Sequence, residues 1–240
     1  MSSGSSAGEN KMFTVIIKVY DPRVLNDRTA TKVKKLWTLA AEQRALQDRA
    51  CEGFQWNDDV LYEDDPDPDD EEGWVMRAAN HEQNFFHLMI QCYNTERAAY
   101  ERLHRYQGTA LARLLGVGHW NVAPATRAIQ PPVLVFEYIP GTSIHDIRPE
   151  LIDSAMCVSL VAAVDTFASL GVAHADVHDG NILFTPQERP ERAVIVDFGC
   201  AIVKEDSTSE EDWKEMARFE GDGQWIRIIL KGKGVELPEL

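Results

Sequence analysis

Two short segments, each with polar residues at the end of an apolar run, constrain this chain more than any other feature of its sequence. The first, HADVHDGNILF, begins at His174; the second, VIVDFG, ends at Gly199. Short apolar, β-branched runs bounded by turn residues are typical of buried strands. We therefore expect Asp176, Asn181 and Asp197, which lie at the ends of two such strands, to face one cleft.

The residue types in these segments suit a metal-dependent reaction. Asp197 and Asn181 supply the hard oxygen ligands that Mg²⁺ prefers. Asp176 is then left to accept a proton from an attacking hydroxyl group. The two segments together predict a magnesium site beside a general base.

The HxDxxxxN spacing around Asp176, followed by DFG, resembles the catalytic and metal-binding loops of the protein-kinase-like superfamily. His178 makes the first loop more similar to that of aminoglycoside phosphotransferases and related small-molecule kinases, and the motif order resembles the kinase-like proteins of fungi. The resemblance runs from about Phe13 to about Val203. It implies an α+β, two-lobed protein-kinase-like fold that uses ATP and Mg²⁺ as cofactors.

The same resemblance implies roles for residues outside these loops. Lys18, in the strand-like run VIIK, matches the phosphate-binding lysine, and Glu96 matches its helical partner. Phe136 matches the gatekeeper, and the Glu137 carbonyl and Ile139 amide match the groups that bond adenine. The residues that the resemblance makes catalytic are Asp176, Asn181 and Lys18.

Glu96 also stands out without the resemblance. It falls on an apolar helical stripe that includes Cys92, Ala99 and Leu103. An acid on an inward face needs a partner or a raised pKa. We therefore predict an ion pair between Glu96 and Lys18.

Two features of the superfamily are missing from the sequence. No glycine-rich loop between strands precedes Lys18, and no APE-like motif follows Asp197. We therefore expect an incomplete N-lobe, in a chain truncated at its N-terminus, and a minimal helical C-lobe. Two functions stay open: a phosphotransferase that moves the γ-phosphoryl group of ATP to a hydroxyl of a small molecule or protein, and a pseudokinase that binds without turnover.

A different chemistry is also consistent with the first segment. His174, Asp176, His178 and Asp179 are spaced like part of a metallohydrolase cluster. Such a site needs further His or acidic ligands from elsewhere in the fold, and the other histidines form no matching cluster.

Composition limits the partners and the compartment. The chain has 24 Lys and Arg residues against 39 Asp and Glu residues, a net charge of −15, which predicts that it binds neither nucleic acid nor anionic membranes. Its four cysteines form no CxxC pair, and the first ten residues hold no apolar signal segment. We expect an intracellular protein, cytoplasmic or nuclear, with free thiols.

The predicted organisation has three parts: a disordered tail over 1–11, a partial N-lobe over 12–139 and a C-lobe over 140–240. An acidic insertion spans about 21–78. Within it, residues 58–72 contain ten acids and no Lys or Arg, which predicts an exposed, poorly ordered loop. The other predicted elements are helices over 28–50, 79–106 (with a break near Asn94), 149–170 and 209–230 (two short helices), strands over 13–20, 133–138, 181–184 and 193–198, and a loop over 108–124.

Overall fold

The computed structural model describes residues 14–29, 35–123 and 125–237, so the tail predicted over 1–11 lies outside the described residues. The fold is α+β and two-lobed. The strands are β1 (Val15–Val19), β2 (Leu114–His119), β3 (Pro132–Glu137), β4 (Thr142–Ser143), β5 (Val172–Ala173), β6 (Ile182–Thr185), β7 (Arg192–Ile195) and β8 (Ile202–Val203). The helices are α1 (Leu39–Ala50), α2 (Glu71–Arg102), α3 (Ser154–Ser169), α4 (Glu210–Glu220) and α5 (Asp222–Gly232).

The N-terminal lobe is built on an antiparallel sheet in the order β1-β3-β2. β1 and β3 confirm the strands expected from β-branched and aromatic runs. β2 lies where the sequence predicts a loop, and that prediction is wrong: Gly116 and Gly118 interrupt the side-chain pattern of a strand, but their backbones still pair with β3. Lys18 pairs with Leu134, a buried residue of β3, and so faces inward.

Helix α2 is the long element that crosses behind this sheet. It runs unbroken for 32 residues, so the predicted start at residue 79 and the predicted break near Asn94 are wrong. The Asp70 side chain caps its N-terminus by accepting a hydrogen bond from the Gly73 amide at 2.8 Å. Acidic side chains in the first helical turn interact favourably with the positive end of the helix dipole. This interaction explains why the acidic sequence before residue 79 is part of the helix.

The described residues of 21–29 and 35–50 pack against α2 instead of extending into solvent. The predicted helix over 28–50 is confirmed only from Leu39, where the Thr38 side chain caps α1 by accepting from the Ala41 amide. The Arg28 guanidinium donates to both carboxylate oxygens of Glu82 on α2, at 2.7 and 2.6 Å, and both side chains are buried. The first half of the predicted insertion is therefore anchored by charge pairs inside the protein.

The acid-rich segment 58–72 is exposed, as its composition predicts, but it is not all loop. Asp58–Leu61 forms a 3-10 helix, and the last two residues of the segment begin α2. The guanidinium of Arg77 donates to the carbonyl oxygens of Val60 and Leu61. Local contacts with α2 thus give the segment defined structure although its acids face solvent.

The C-terminal lobe is assembled around α3, the helix predicted over 149–170. Asp153 caps α3 through the Ala155 amide at 2.6 Å, and a separate 3-10 helix over Pro149–Leu151 precedes it. α3 packs against α5 and against β7 of the small sheet β4-β6-β7. The predicted division of the tail into two helices is confirmed, because Gly221, with a φ of 60°, separates α4 from α5.

Two predictions about the whole chain can be compared with the described residues. None of the described helices combines the length and the apolar character needed to cross a membrane. All four cysteines are free thiols, as their spacing predicts.

Candidate active site

A cleft of about 420 Å³ lies between the two lobes. Its upper wall is formed by β1, α2 and β3, and its floor by β6 and the end of the segment that leads to Asp197. The predicted site residues that line it are Lys18, Glu96, Phe136, Glu137, Ile139 and Asp197. Residues from six separate stretches of the chain therefore meet at one cavity.

Lys18 connects the two sides of the cleft. Its Nζ lies 2.6 Å from Glu96 Oε2 and 2.6 Å from Asp197 Oδ1. Burial opposes the charge on the Lys18 ammonium, but Glu96 and Asp197 outweigh this and raise the pKa of Lys18. Burial also opposes the charge on the Asp197 carboxylate and by itself would raise its pKa. Lys18 and the Gly199 amide outweigh this, so the pKa of Asp197 is lowered. Both groups are therefore charged at neutral pH.

Glu96 is the buried centre of this cluster, with 1% of its surface exposed. Besides Lys18, it accepts a short hydrogen bond from the Tyr20 hydroxyl and a 3.3 Å hydrogen bond from the Phe198 amide. Donors from β1 and from the segment after Asp197 thus fix one carboxylate on α2. The buried Glu96 carboxylate needs these partners because an unpaired charge inside a protein is costly.

Asp197 takes a backbone conformation that is rare for a residue with a side chain. Its φ is 67°, in the left-handed region, and Gly199 donates its amide to Asp197 Oδ1 at 3.3 Å. Strained backbone of this kind persists where the surroundings over-determine it, and it concentrates at functional sites. Half of the Asp197 side-chain surface remains exposed to the cleft.

Asp176 and Asn181 are joined by hydrogen bonds beside the segment that leads from β7 to Asp197, but only Asp197 of the three lines the cleft cavity. Asn181 Nδ2 donates to the Asp176 carbonyl oxygen at 3.1 Å, and the Val196 amide donates to the Asn181 carbonyl oxygen at 3.0 Å. Asn181 is buried, while the Asp176 side chain is about half exposed. The arrangement leaves the Asp176 carboxylate open to solvent above a fixed backbone.

His174 stabilises the loop that contains Asp176 through hydrogen bonds that involve both of its ring nitrogens. The Asp176 amide donates to its Nδ1 at 3.3 Å, and its Nε2 donates to the Val196 carbonyl oxygen at 3.0 Å. Burial lowers the pKa of His174, consistent with a neutral ring, and the ring packs against Phe198 with centroids 4.6 Å apart. His174 therefore links the Asp176 loop to the Asp197 segment.

The exposed rim of the loop carries His178, Asp179 and His145. His178 Nε2 lies 4.0 Å from Asp176 Oδ2, and His145 Nδ1 lies 2.9 Å from Asp179 Oδ2. Across the part of the chain that the structure describes, no group of three or more His, Cys, Asp or Glu side chains is arranged to hold a metal ion. Since both ring nitrogens of His174 are also engaged, the geometry does not support the metallohydrolase interpretation.

The segment between the lobes contributes the remaining predicted residues. Phe136 is buried and packs on Tyr100, with ring centroids 4.9 Å apart. The Glu137 carboxylate accepts from Arg113 at 2.8 Å. Among the described residues, no acceptor lies within hydrogen-bond reach of the Ile139 amide.

The comparison with protein families finds a match in the second half of the chain. Residues 125–218, which contain Asp176, Asn181 and Asp197, match the model of the ABC1 atypical kinase-like domain. That domain belongs to the protein-kinase-like superfamily, which the sequence of this chain resembles. No curated protein matches it.

Among solved structures, the kinase-like chain is similar to WbdD, with a TM-score of 0.36 and 17% sequence identity. The alignment covers 65% of this chain and 38% of the WbdD chain, so the chain spans well under half the length of that structure.

Two residues of this kinase-like site were not among those predicted from the sequence. Tyr20 lies two positions after Lys18, which places both on one face of a strand, and that spacing was the available signal. The Asp222 carboxylate, at the start of α5, accepts from the amides of His174 and Ala175 at 2.5 and 3.1 Å. It holds Ala175 at a φ of 58°, and no local pattern marks it because it lies 48 residues from His174.

Proposed function

We propose that this chain binds ATP with Mg²⁺ in the cleft between the lobes and transfers the γ-phosphoryl group to a hydroxyl of a small molecule or protein. The observation that carries the proposal is the position of Lys18, which contacts Glu96 on one side of the cleft and Asp197 on the other. A cation held between two carboxylates, with its own side chain about a third exposed, is available to an anionic ligand.

Lys18 then binds phosphate oxygens, while Glu96 holds the Lys18 ammonium in place. Tyr20 and the Phe198 amide act through Glu96, because they fix the carboxylate against which Lys18 rests. Phosphoryl transfer requires little covalent chemistry from the protein, so positioning and charge stabilisation supply most of the rate acceleration.

Asp176 serves as the general base. Its exposed carboxylate accepts the proton of the attacking hydroxyl as the new oxygen–phosphorus bond forms and the bond between the γ-phosphorus and the ADP oxygen breaks. Asn181 and His174 hold the Asp176 backbone at fixed positions. The acceptor approaches from the rim that carries His178 and Asp179.

The donor set beside Asp197 fits Mg²⁺. Both the Lys18 and the Gly199 contacts use Asp197 Oδ1, which leaves Oδ2 for a cation. Asn181 donates through its amide nitrogen and keeps its side-chain oxygen as a second hard ligand. When bound there, Mg²⁺ neutralises charge on the phosphates.

The adenine ring occupies the inner end of the cleft. The Ile139 amide, with no acceptor among the described residues, and the Glu137 carbonyl are the proposed hydrogen-bonding groups, with Phe136 at the back of the pocket. The volume of about 420 Å³ lies within the range of small-molecule sites.

One observation favours a second candidate, a binding module without turnover. No glycine is found among the described residues that line the cleft. Without a glycine-rich loop, the phosphates lack a cradle of backbone amides. Nucleotide affinity is then modest, and the γ-phosphoryl group is held less firmly for transfer.

The test combines thermal shift with turnover. ATP should raise the unfolding temperature of the wild-type chain more with Mg²⁺ than without it, and Asp197→Ala should remove that difference. Asp176→Asn should leave the shift intact and abolish ATP turnover, including slow hydrolysis, whereas exposed Asp64→Asn serves as a charge-matched control that changes neither. Absence of any shift at millimolar ATP refutes the proposal. Binding with no turnover, unchanged by Asp176→Asn, supports the binding module instead.

A further inference from the structure

A second cavity, of about 610 Å³, lies in the C-terminal lobe, apart from the cleft between the lobes, and shares no residue with it. It is open to solvent and lies where α2 and α3 end, beside the residue that follows β8 and one face of α4. We call it the basic cavity, after its four cationic residues Arg102, Lys204, Lys214 and Arg218.

The charge of the basic cavity is opposite to that of the whole chain. Its lining contains four cations and a single acid, Glu210, in a protein that has 39 acids and 24 Lys and Arg residues. A concave surface lined by one sign of charge concentrates counter-ions. The lining therefore favours an anion although the protein as a whole repels one.

Two of the four cations already have partners. Arg102 donates to the carbonyl oxygens of Gly171 and Lys204, at 3.1 and 2.5 Å, so it supports the backbone at the cavity wall. Lys204 forms a short ion pair with Glu210. These contacts account for Arg102 and Lys204 in structural terms.

Lys214 and Arg218 have no such explanation. They lie four residues apart on α4, and within the described residues neither forms a salt bridge to any acid. Like charges at this spacing destabilise a helix slightly. An anion bound in the cavity would remove that repulsion and occupy both side chains.

The apolar part of the cavity lining indicates what kind of anion fits. This part consists of Leu170, Ala168, Ala217 and the indole of Trp213, which has 3% of its surface exposed. Trp213 Nε1 donates to the Ala168 carbonyl oxygen at 2.7 Å, which fixes the indole. The cationic side chains suit a ligand with several negative charges, and the apolar residues suit a small carbon skeleton on the same ligand.

We propose that the basic cavity binds a small phosphate-bearing organic molecule through Lys214 and Arg218. The site lies where α2, the helix of Glu96, ends, and next to the segment that follows Asp197. The inference stands on these contacts alone and does not depend on ATP binding in the cleft.

Inorganic pyrophosphate is a suitable probe, with ¹⁹F NMR of the full chain labelled with 5-fluorotryptophan. The chain has six tryptophans, and Trp213→Phe assigns the signal at the cavity. At a salt concentration of about 150 mM and without Mg²⁺, pyrophosphate should shift the Trp213 signal saturably, with a Kd on the order of 1 mM or tighter.

Variants separate a site from general attraction to charge. Lys214→Gln with Arg218→Gln should raise that Kd at least about tenfold, and Arg218→Gln alone should raise it less. The matched control is Arg148→Gln with Lys231→Gln, which removes two exposed cations elsewhere and should leave the Kd unchanged. Lys18→Met should also leave it unchanged, so a failure of nucleotide binding in the cleft is distinguishable from a failure here.

Three outcomes overturn the proposal. One is no shift of the Trp213 signal at millimolar pyrophosphate, and another is an equal loss of affinity in the control and cavity variants. The third is that a synthetic peptide of residues 58–72 moves the signal through the same cations while pyrophosphate does not, because the cavity would then dock acidic protein segments.

Discussion

Two charge clusters involve the N-terminal lobe, one at its cleft with the C-terminal lobe and one inside it, and they differ in how far water reaches them. In the cleft cluster, Lys18 and Asp197 keep about a third and a half of their side-chain surfaces exposed. In the closed cluster, Asp21, Glu42 and Arg127 are all at least nine-tenths buried. Both bring distant parts of the chain together, but only the cleft cluster presents charge to a ligand.

The carboxylates of the closed cluster already accept hydrogen bonds from several donors within the protein. Glu42 accepts from the Arg127 guanidinium, from the Ala128 amide at 2.6 Å and from the Trp37 indole at 3.2 Å. Asp21 accepts from both Arg127 and Arg23. A cluster satisfied in this way stabilises the packing of 21–29 and 35–50, whereas the cleft cluster keeps part of its charged surface exposed to water.

The largest effect is expected from breaking the closed cluster at Arg127. Arg127→Met leaves Glu42 and Asp21 buried without their main partner, so the free energy of unfolding should fall by about 3–5 kcal/mol. Arg23→Met is the matched control: it removes another arginine bonded to Asp21, but Arg23 is 40% exposed, and the loss should be about 0–1 kcal/mol. Urea denaturation measures both. Equal losses would mean that burial does not distinguish the two arginines.

Acid should weaken the closed cluster through Asp21. Burial would raise the pKa of Asp21, but hydrogen bonds from Arg23 and Arg127 and the Arg127 charge hold that pKa below its ordinary value of 3.8. A carboxyl whose folded pKa is lowered contributes stability above the unfolded pKa and loses it as pH falls through the folded pKa. The contribution of Asp21 is therefore present at neutral pH and declines only below about pH 4.

Asp21→Asn measures that contribution. At neutral pH it should cost about 1.5–3 kcal/mol, the range for hydrogen bonds to charged groups. In urea titrations at successively lower pH, the difference from the wild type should shrink only below about pH 4. Asp48→Asn, in the partly exposed pair of Asp48 with Arg44, provides the control, with a small cost at any pH. A difference for Asp21→Asn that declines already above pH 5 would contradict the lowered pKa.

The cleft cluster should tolerate loss of a partner better, because water reaches Lys18. In a double-mutant cycle, Lys18→Met and Glu96→Gln should couple by about 0.5–3 kcal/mol in the free energy of unfolding. The exposed pair of Arg44 and Asp48, treated as Arg44→Met and Asp48→Asn, should couple by no more than about 0.5 kcal/mol. Additive effects of the Lys18 and Glu96 changes would show that their contact does not contribute to stability.

The two clusters also differ in how well the sequence predicts them. Lys18, Glu96 and Asp197 belong to motifs or to a helical stripe with an acid on its apolar face, so their meeting is predictable. Asp21 and Arg127 lie 106 residues apart, in segments with no shared periodicity. The sequence therefore does not reveal that Arg127 neutralises both Asp21 and Glu42.

The same limit explains the errors in the secondary structure. Periodicity reports which side chains are buried, so it finds β1, β3 and α3, whose residues meet the core. It misses β2, where glycines carry no side chain, and it places the start of α2 too late, because an acidic first turn reads as loop. Capping by Asp70 and pairing with β3 both satisfy the hydrogen-bonding groups of the backbone, and hydrophobic patterns carry no information about those groups.

The smallest effects are expected in the exposed acids of segment 58–72, where charge is neither enclosed nor held beside a cleft. Asp69→Ala and Asp64→Ala should change the free energy of unfolding by no more than about 0.5 kcal/mol, as is usual for surface substitutions without special contacts. Asp70→Ala, at the next position, removes the cap that accepts from the Gly73 amide and should cost about 0.5–2 kcal/mol. Urea denaturation of the three variants decides the point. Equal costs at Asp69 and Asp70 would indicate that net acidity, not the cap, governs how this segment contributes to stability.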